Sequence, residues 1–426
     1  MRTAIALATV ATINMAWGAD TPLRETERKG DHHHIDVGAD ADLTLVTVLQ
    51  AAVERYPLIV ELDARAKEAG AWNKRGRSWI AGSPALSLHY QTDEYSDDNG
   101  LEEFESSIEL PLWRWGERSA TKKLGKAFAS EASFAQDALR WEVAGKLRGV
   151  LWEMALTDND ARLAKQSLEI ARRLSSTVER RYQLGDVARA DLLLAQSTVL
   201  EKETALLEAE AAQVDAQRTY RSLTGIIRYP EEFEESLSSK EVLDEQHPLL
   251  AFAEAELGRA RAARRYTARA AKDNPSLLAG PRRERSANDV VVENSIGVTL
   301  RIPFGGGAHR GTEIAAADRA VATATAQRDR QRRELQIQLH EAEHGLHVAE
   351  SALKLATARA EIAQLHLVMG DTAFQKGELN LLDLLKLQDN AASATRKASS
   401  LAIEVKRNIA LYNQASGERP GDGLGS

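Results

Sequence analysis

Tyr182-Gln183-Leu184-Gly185-Asp186, followed by Asp191-Leu192-Leu193, occurs twice in this chain in closely similar form. The second copy is Phe374-Gln375-Lys376-Gly377-Glu378, followed by Asp383-Leu384-Leu385, and each matching residue lies 192 positions after its counterpart. Each copy separates two long helical patterns, and glycine tolerates the positive φ that a helix end requires. We interpret the copies as the tips of two helical hairpins in a chain built from one duplicated unit.

Composition and charge narrow the class of protein. The 426 residues are enough for two or three domains or for one large one. Hydrophobic residues make up 43% of the chain and charged residues 28%, which favours a packed structure over wholesale disorder. The net charge of −8 argues against a dedicated nucleic-acid binder, which would carry a basic surface. The chain has no cysteine, which excludes disulfides and thiol catalysis.

The first residues have the pattern of a secretory signal. Residues 1–18 combine a positive start at Arg2 with a short apolar core, and they end in small residues. A polar tail is predicted over residues 19–42. Its run His32-His33-His34 could bind a transition metal, but we interpret it as part of a solvated tail. No later window offers the roughly 20 continuous apolar residues of a membrane-spanning helix.

Two pairs of alternating segments predict four β-strands. In residues 84–92 and 104–112, apolar and polar side chains alternate, and a polar loop connects the two segments. Residues 292–302 alternate in the same way. The remaining strand is placed at 275–285 because the repeat requires it, although Pro281 and three arginines interrupt the pattern. Such segments fit a soluble hairpin with one wet face, and equally the strands of a membrane barrel with a polar lumen.

Long helices are predicted for most of the remaining chain. A helical pattern with a break near Pro57 covers residues 43–80, and no proline interrupts residues 113–227 or 304–419. The first helix of the first hairpin, predicted over residues 117–182, would be about 100 Å long. A heptad seam of leucines and alanines runs along the helix before the second tip, and subtracting 192 from most of its residue numbers locates the same seam before the first tip. Its residues are Leu339, Leu346, Leu353, Ala360, Leu367, Ala342, Ala349, Ala356 and Ala363, with Leu147, Met154, Ala161, Ala164, Leu168 and Ala171 in the first copy.

The duplication sets the expected domain organisation. The first strand-and-hairpin repeat covers residues 43–225 and the second covers 247–417. An acidic linker at 226–246 joins them, and a glycine-rich, disordered tail follows at 418–426.

This architecture resembles the TolC-like outer-membrane efflux proteins, over roughly residues 43–417. The resemblance implies a mainly α fold of long coiled-coil hairpins, with four strands per chain that complete a 12-stranded barrel in a homotrimer. It implies an outer-membrane location with a large periplasmic portion, no cofactor and no enzymatic activity. Trp113 and Trp115 would suit the inner interface of the barrel, where aromatic residues collect, or would pack at the start of a helix.

The resemblance also implies functional residues. Asp383 would form an acidic ring that narrows the pore, and Asp191 would belong to polar contacts that hold the hairpins closed. The family's second acidic residue is replaced by Lys386, which puts a double ring in doubt. Both aspartates would otherwise cap helices. The tips would receive a periplasmic adaptor protein, with an inner-membrane transporter supplying the energy; the tip residues are Leu184, Gly185, Asp186, Lys376, Gly377 and Glu378.

One motif points to a different class of protein. His340-Glu341-Ala342-Glu343-His344 satisfies H-E-x-x-H, in which two imidazoles bind zinc and the glutamate activates water. The third zinc ligand of the extended motif is missing at its required spacing. The seam places His340 and His344 on the polar side of the helix, so we expect no zinc peptidase and at most weak metal binding.

We therefore predict a passive outer-membrane channel of a three-part efflux pump. The alternative is a periplasmic coiled-coil scaffold without a membrane barrel, followed by the zinc peptidase. The modest length, the absence of a cysteine for lipidation and the acidic ring of Asp383 are compatible with the family branch that exports heavy-metal cations. They fit drug efflux or protein secretion too.

Overall fold

The computed structural model describes residues 37–270, 273–305 and 307–420. The predicted signal peptide, the run His32-His33-His34 and residues 421–426 lie outside the described residues. The seven helices of the described chain are α1 (Leu45–Arg55), α2 (Ile59–Arg77), α3 (Glu117–Gln183), α4 (Arg189–Thr224), α5 (Pro248–Ala270), α6 (Gly307–Gln375) and α7 (Leu381–Ala415). The six strands are β1 (Gly38–Asp40), β2 (Ala85–Thr92), β3 (Glu102–Pro111), β4 (Arg228–Pro230), β5 (Ser276–Arg285) and β6 (Glu293–Arg301).

Two long helical hairpins, α3–α4 and α6–α7, dominate the described chain, as the repeat predicts. Helix α3 has 67 residues and α6 has 69, so each is about 100 Å long. The predicted seam is confirmed, because all of its residues are buried or half-buried in both copies. None of the described helices has a stretch that is long and apolar enough to cross a membrane.

The four-stranded sheet has the order β2-β3-β5-β6, and all neighbouring strands are antiparallel. Its register puts Leu86 of β2 opposite Ile108 of β3, and Ala279 of β5 opposite Val298 of β6, so that one face is mainly apolar. The other face carries mainly Ser, Glu and Arg side chains. The apolar face is uncovered in the single chain, where Ile296 is 83% exposed.

Strand β5 forms over ten residues despite the interruptions in its sequence pattern. Opposite Pro281 and Gly280, the β3–β5 ladder lacks paired residues, since proline has no N–H to donate. At Gly280 the backbone of β3 comes so close that a Cβ would lie 1.8 Å from the carbonyl oxygen of Ser106. Two arginines of this strand find acidic partners on β3: Arg282 lies 3.0 Å from Glu103, and Arg285 lies 3.6 Å from Glu102.

The expected polar tail and acidic linker contain a short sheet that the sequence does not reveal. Strand β1, at the end of the tail, pairs in parallel with β4 at the start of the linker. The linker is then fastened to the helices, because Arg148 of α3 donates to both carboxylate oxygens of Glu235 at 2.7 and 2.6 Å. The side chain of Arg148 is 2% exposed. Removing one partner of such a buried pair is strongly destabilising.

His247 lies at the start of α5, between the linker and the helices. Its Nδ1 accepts a hydrogen bond from the Leu249 N–H at 3.2 Å, and its ring contacts the Trp141 ring edge-on, with 5.0 Å between centroids. Burial, together with the nearby charge of Lys240, lowers the pKa of His247 to about 4. The imidazole is therefore neutral in the folded protein at neutral pH.

We predict that Gly280→Ala prevents correct pairing of β3 with β5, whereas Gly297→Ala is tolerated. The two glycines face each other across β5 and β6, yet a Cβ at Gly297 would meet nothing nearer than 3.9 Å. Overpacking against fixed backbone should cost about 3 kcal/mol or more at Gly280. Thermal unfolding of the two purified variants measures the difference. Equal midpoints would show that the close approach of β3 is not maintained.

We predict that His247 makes the folded protein less stable in acid. In the unfolded chain the histidine binds a proton below its ordinary pKa of 6.5, whereas in the folded protein it does so only below about 4. Stability should therefore fall by about 3 kcal/mol as the pH decreases from 6.5 to 4. His247→Asn keeps a helix-capping acceptor without the titration. The difference in unfolding midpoint between wild type and this variant should shrink on acidification; a constant difference would contradict the prediction.

Candidate functional site

The two predicted tips have the same backbone geometry. Gly185 and Gly377 have φ values of +82° and +76°, so glycine is needed at both. The next N–H closes the helix end in each tip: Asp186 N–H donates to the Arg181 carbonyl, and Glu378 N–H to the Ala373 carbonyl, both at 2.9 Å. Beyond each tip the chain turns back within five residues into the next helix. The predicted tip residues are thus brought to the ends of both hairpins.

Arg181 fastens one tip to the other. Its guanidinium donates to the carbonyl oxygens of Phe374 and Gln375, both at 3.3 Å, and lies 4.7 Å from the centroid of the Phe374 ring. A small apolar core lies beside this contact and holds residues of both hairpins; it consists of Val178, Ala195, Phe374, Leu381, Leu384 and Leu385. The two tips therefore form one unit within the chain.

Asp383 lies in the first turn of α7, where its carboxylate is exposed. It accepts hydrogen bonds from the Lys386 ammonium at 3.1 Å and from the Asn380 side chain at 2.9 Å. These two donors, with the positive charge of Lys386, lower the pKa of Asp383. The carboxylate is therefore ionised at neutral pH, and its charge is balanced by the ammonium group of Lys386.

Asp191 occupies the corresponding position in the first turn of α4. Its carboxylate accepts a hydrogen bond from the Ala188 N–H at 3.3 Å, which caps the helix. The contacts between the hairpins are made by other residues: Lys202 of α4 binds Asp389 of α7 at 2.8 Å, and Asn159 of α3 binds Ser399 of α7 at 2.6 Å. A role for Asp191 in holding assembled hairpins together stays a prediction.

The inter-hairpin contacts were missed at the level of sequence for a clear reason. Arg181, Lys202 and Asp389 belong to a chain that is rich in charged residues on every helix face, so their partners have no periodic pattern. The one available sign is that 192 positions after Arg181 stands Ala373, so the duplication is broken there.

The H-E-x-x-H residues lie in the middle of α6. His340, Glu341 and His344 are all exposed, and the nearest charged partner of His340 is Glu343 at 3.9 Å. In the described ranges, no group of three or more His, Asp or Glu side chains has the geometry to hold a metal ion. The helix face offers no cleft that could shield a catalytic zinc.

Comparisons with known proteins agree with this architecture. Residues 48–226 match the model of the outer membrane efflux protein family. No curated protein matches the chain. Three similar solved structures are outer-membrane proteins of other bacteria, and their low sequence identities make them evidence for the fold alone.

The outer membrane protein VceC of Vibrio cholerae is 15% identical, with a TM-score of 0.69 over 87% of this chain and 95% of that chain. The outer membrane channel CmeC of Campylobacter jejuni is 15% identical, with a TM-score of 0.69 over 89% and 87%. The open outer membrane channel MtrE of Neisseria gonorrhoeae is 15% identical, with a TM-score of 0.70 over 92% of both chains.

The family match covers the first repeat, and the second repeat has the same succession of strands and helices. The fold of the described chain is that of the channels over most of its length. The chain is thus a protein of the outer membrane and a channel rather than an enzyme, and its H-E-x-x-H sequence is a chance match. In its matched first repeat and in its fold, the chain is similar to the TolC-like outer membrane efflux proteins.

Proposed function

We propose that three copies of this chain form one passive conduit for small toxic solutes through the outer membrane and the periplasm. The observation that carries the proposal is that the single chain is open at both sides. The sheet has an uncovered strand at each edge, and the pair of helical hairpins has an uncovered helix on each side.

The sheet ends in β2 on one side and in β6 on the other. Both edge strands carry unpaired backbone groups, and their apolar side chains are exposed on one face. Unpaired edges are not viable in lipid, where backbone groups must be satisfied by protein. Three copies joined edge to edge supply 12 strands, pair every edge and turn the apolar face toward lipid.

The long helices are open in the same way. Contacts follow the order α4, α3, α7 and α6, so α4 and α6 are the outer members. On α6 an apolar stripe with heptad spacing faces away from α7; its residues are Val348 (50% exposed), Leu355 (73%), Ile362 (69%) and Met369 (70%). On α4 the corresponding stripe is Leu193 (55%), Leu200 (64%) and Leu207 (67%). A heptad stripe is the surface that a second helix covers in a coiled coil.

The stripes favour a second copy of this chain as their occupant. Each protomer offers one α4 edge and one α6 edge, so a ring of copies covers all of them, as it pairs the sheet edges. The resemblance to the TolC-like channels implies three copies, which with four strands each supply twelve. The ring of helices and the closed sheet thus use the same two open sides of each protomer.

The tips are the proposed docking site of a periplasmic adaptor protein. Leu184 is 77% exposed at the end of the first hairpin, where no residue of the described chain covers it. The sequence has no phosphate-binding loop, so energy would come from an inner-membrane transporter bound through the adaptor. Heavy-metal cations and drugs are the proposed cargo classes, and the pump would select between them.

Asp383 is the proposed pore constriction. Three copies would bring three carboxylates together, and each would be accompanied by Lys386. Such a ring is much less acidic than one of carboxylates alone. It would favour cations weakly and would let neutral solutes pass.

We predict that Leu355→Lys with Ile362→Lys disrupts the trimer. Burying two ammonium groups per seam is costly, because no carboxylate faces them in the stripe. The trimeric fraction of detergent-extracted protein, measured by light scattering after gel filtration, should fall at least tenfold. The control carries Leu355→Met and Ile362→Met, which keep the apolar surface and should leave the trimer intact.

Two results would contradict this assembly. A trimer that survives both lysine substitutions would show that the stripe is not a subunit interface. Wild-type protein recovered from the periplasm as a soluble monomer or dimer would overturn the channel and favour the coiled-coil scaffold.

We predict that Lys386→Gln makes the pore more selective for cations, and that Asp383→Asn makes it less so. The first variant leaves the carboxylate uncompensated, whereas the second leaves the ammonium without its partner. The reversal potential of single channels under a potassium chloride gradient measures this selectivity. Asp191→Asn is the matched control at the equivalent position of the first repeat. Unchanged potentials in both Asp383 and Lys386 variants would place the constriction elsewhere.

A further inference from the structure

Positive charge is concentrated in three of the four helices that adjoin the four-stranded sheet, namely α2, α3 and α5. The first turns of α6 carry both signs of charge, and Asp318 there pairs with Arg264 of α5 at 2.8 Å. Residues 69–77 of α2, 117–130 of α3 and 257–270 of α5 contain twelve Lys and Arg residues and one acidic residue, Glu117. Glu117 is 1% exposed. The chain as a whole has a net charge of −8, so these segments differ sharply from the rest.

Five of these cations form what we call the basic collar: Lys122, Lys123, Lys126, Arg265 and Arg269. All five side chains are exposed. Among the described residues, none of the five has a carboxylate within 4.0 Å, although many other arginines of this chain are paired. The collar therefore carries charge that the described chain does not neutralise.

Local helix stability does not explain the collar. Arg265 and Arg269 lie near the C-terminus of α5, where cations interact favourably with the helix dipole. Lys122, Lys123 and Lys126, however, lie in the first three turns of α3, near its positive end. They gain nothing from the dipole there, so another interaction must account for them.

The collar lies beside the part of the chain that crosses the membrane. Lys126 is nine residues from the start of α3, so at 1.5 Å per residue the collar lies within about 14 Å of the helix ends next to the sheet. The segments between sheet and helices expose large aromatic side chains: Trp79 is 70% exposed, Trp115 97% and Phe304 98%. Exposed aromatic residues at this level are typical of a membrane–water interface.

The collar faces outward from the proposed conduit. Lys123 and Arg265 line a groove of the helical layer together with Glu245 and Gln246 of the linker. Lys126 follows on the same face, three positions after Lys123. A ring of twelve helices spaced about 9 Å apart leaves a space roughly 25 Å across. Three linkers inside it would block a conduit, so the linker face lies outside, together with Lys123, Lys126 and Arg265 of the collar.

We propose that the basic collar binds the phosphate groups of anionic phospholipids in the periplasmic leaflet of the outer membrane. The long Lys and Arg side chains reach from the helices toward the headgroups, while the aromatic residues occupy the boundary with the acyl chains. This inference rests on the proposed trimer and its lipid-facing sheet. It assigns a ligand class to a surface that neither the conduit nor the tips use.

The test counts bound lipids on the intact trimer by native mass spectrometry. Detergent-extracted protein is titrated with phosphatidylglycerol or with zwitterionic phosphatidylethanolamine. One variant carries Lys123→Gln, Lys126→Gln and Arg265→Gln. The matched control removes three exposed cations far from the sheet, by Lys165→Gln, Arg173→Gln and Lys397→Gln.

Wild type and control should prefer phosphatidylglycerol, and the collar variant should bind it at least tenfold more weakly, with phosphatidylethanolamine binding unchanged in all three. Equal phosphatidylglycerol binding by the collar and control variants would overturn the proposal. So would displacement of the bound lipid by millimolar inorganic phosphate, since the site would then be one for free phosphate. The same spectra report the oligomer: a trimer without lipid preference overturns only this inference, whereas the lack of a trimer overturns the conduit as well.

Discussion

Each strand of the four-stranded sheet runs directly into a helix, and this continuity dictates the order of the other elements. Helix α2 leads into β2, β3 into α3, α5 into β5 and β6 into α6. Because a sheet fixes its strands about 4.8 Å apart while helices pack at 8–10 Å, the helical layer must spread or fold away from the sheet. The layer keeps the strand order, since α2 packs on α3, α3 on α5 and α5 on α6. The open sides of sheet and helices coincide for this reason.

The two repeats share their backbone plan but differ in what their arms bury. The seam is the same in both, yet Arg148 in the first arm holds the linker, whereas His340 at the equivalent position is exposed. Glu131, also in the first arm, lies between Arg65 of α2 and Arg259 of α5. Its burial raises the pKa of its carboxyl, and the two arginines oppose that effect. Helix α3 of the first repeat is thus the element to which α2, α5 and the linker are bound by ion pairs. The family match to residues 48–226 includes this helix.

Much of the fold could be predicted from the sequence because it depends on periodicity. The ends of α3, the tips and the strands follow from heptads, glycines and alternation, and the duplication located β5 where the local pattern failed. The short pair β1–β4 could not be found, since three-residue strands have no period and their partners are far apart in sequence. For the tips, backbone geometry was predictable. The hydrogen bonds from Arg181 to the second tip were not predictable, because nothing in the sequence distinguishes this arginine from the many others.

The charges of the chain are separated along its length, and this separation has a physical consequence. Exposed acids and bases are mixed along the hairpins, where both sides of an assembled tube would meet water and pairing keeps the surface soluble. In the segments of α2, α3 and α5 next to the sheet the one acid, Glu117, is buried, and the cations of the basic collar keep their charge uncompensated within the described chain. At the opposite end, where we propose the constriction, the carboxylate of Asp383 is paired with Lys386. Uncompensated charge is therefore kept where a membrane surface could neutralise it and is removed where a passing solute would otherwise be held.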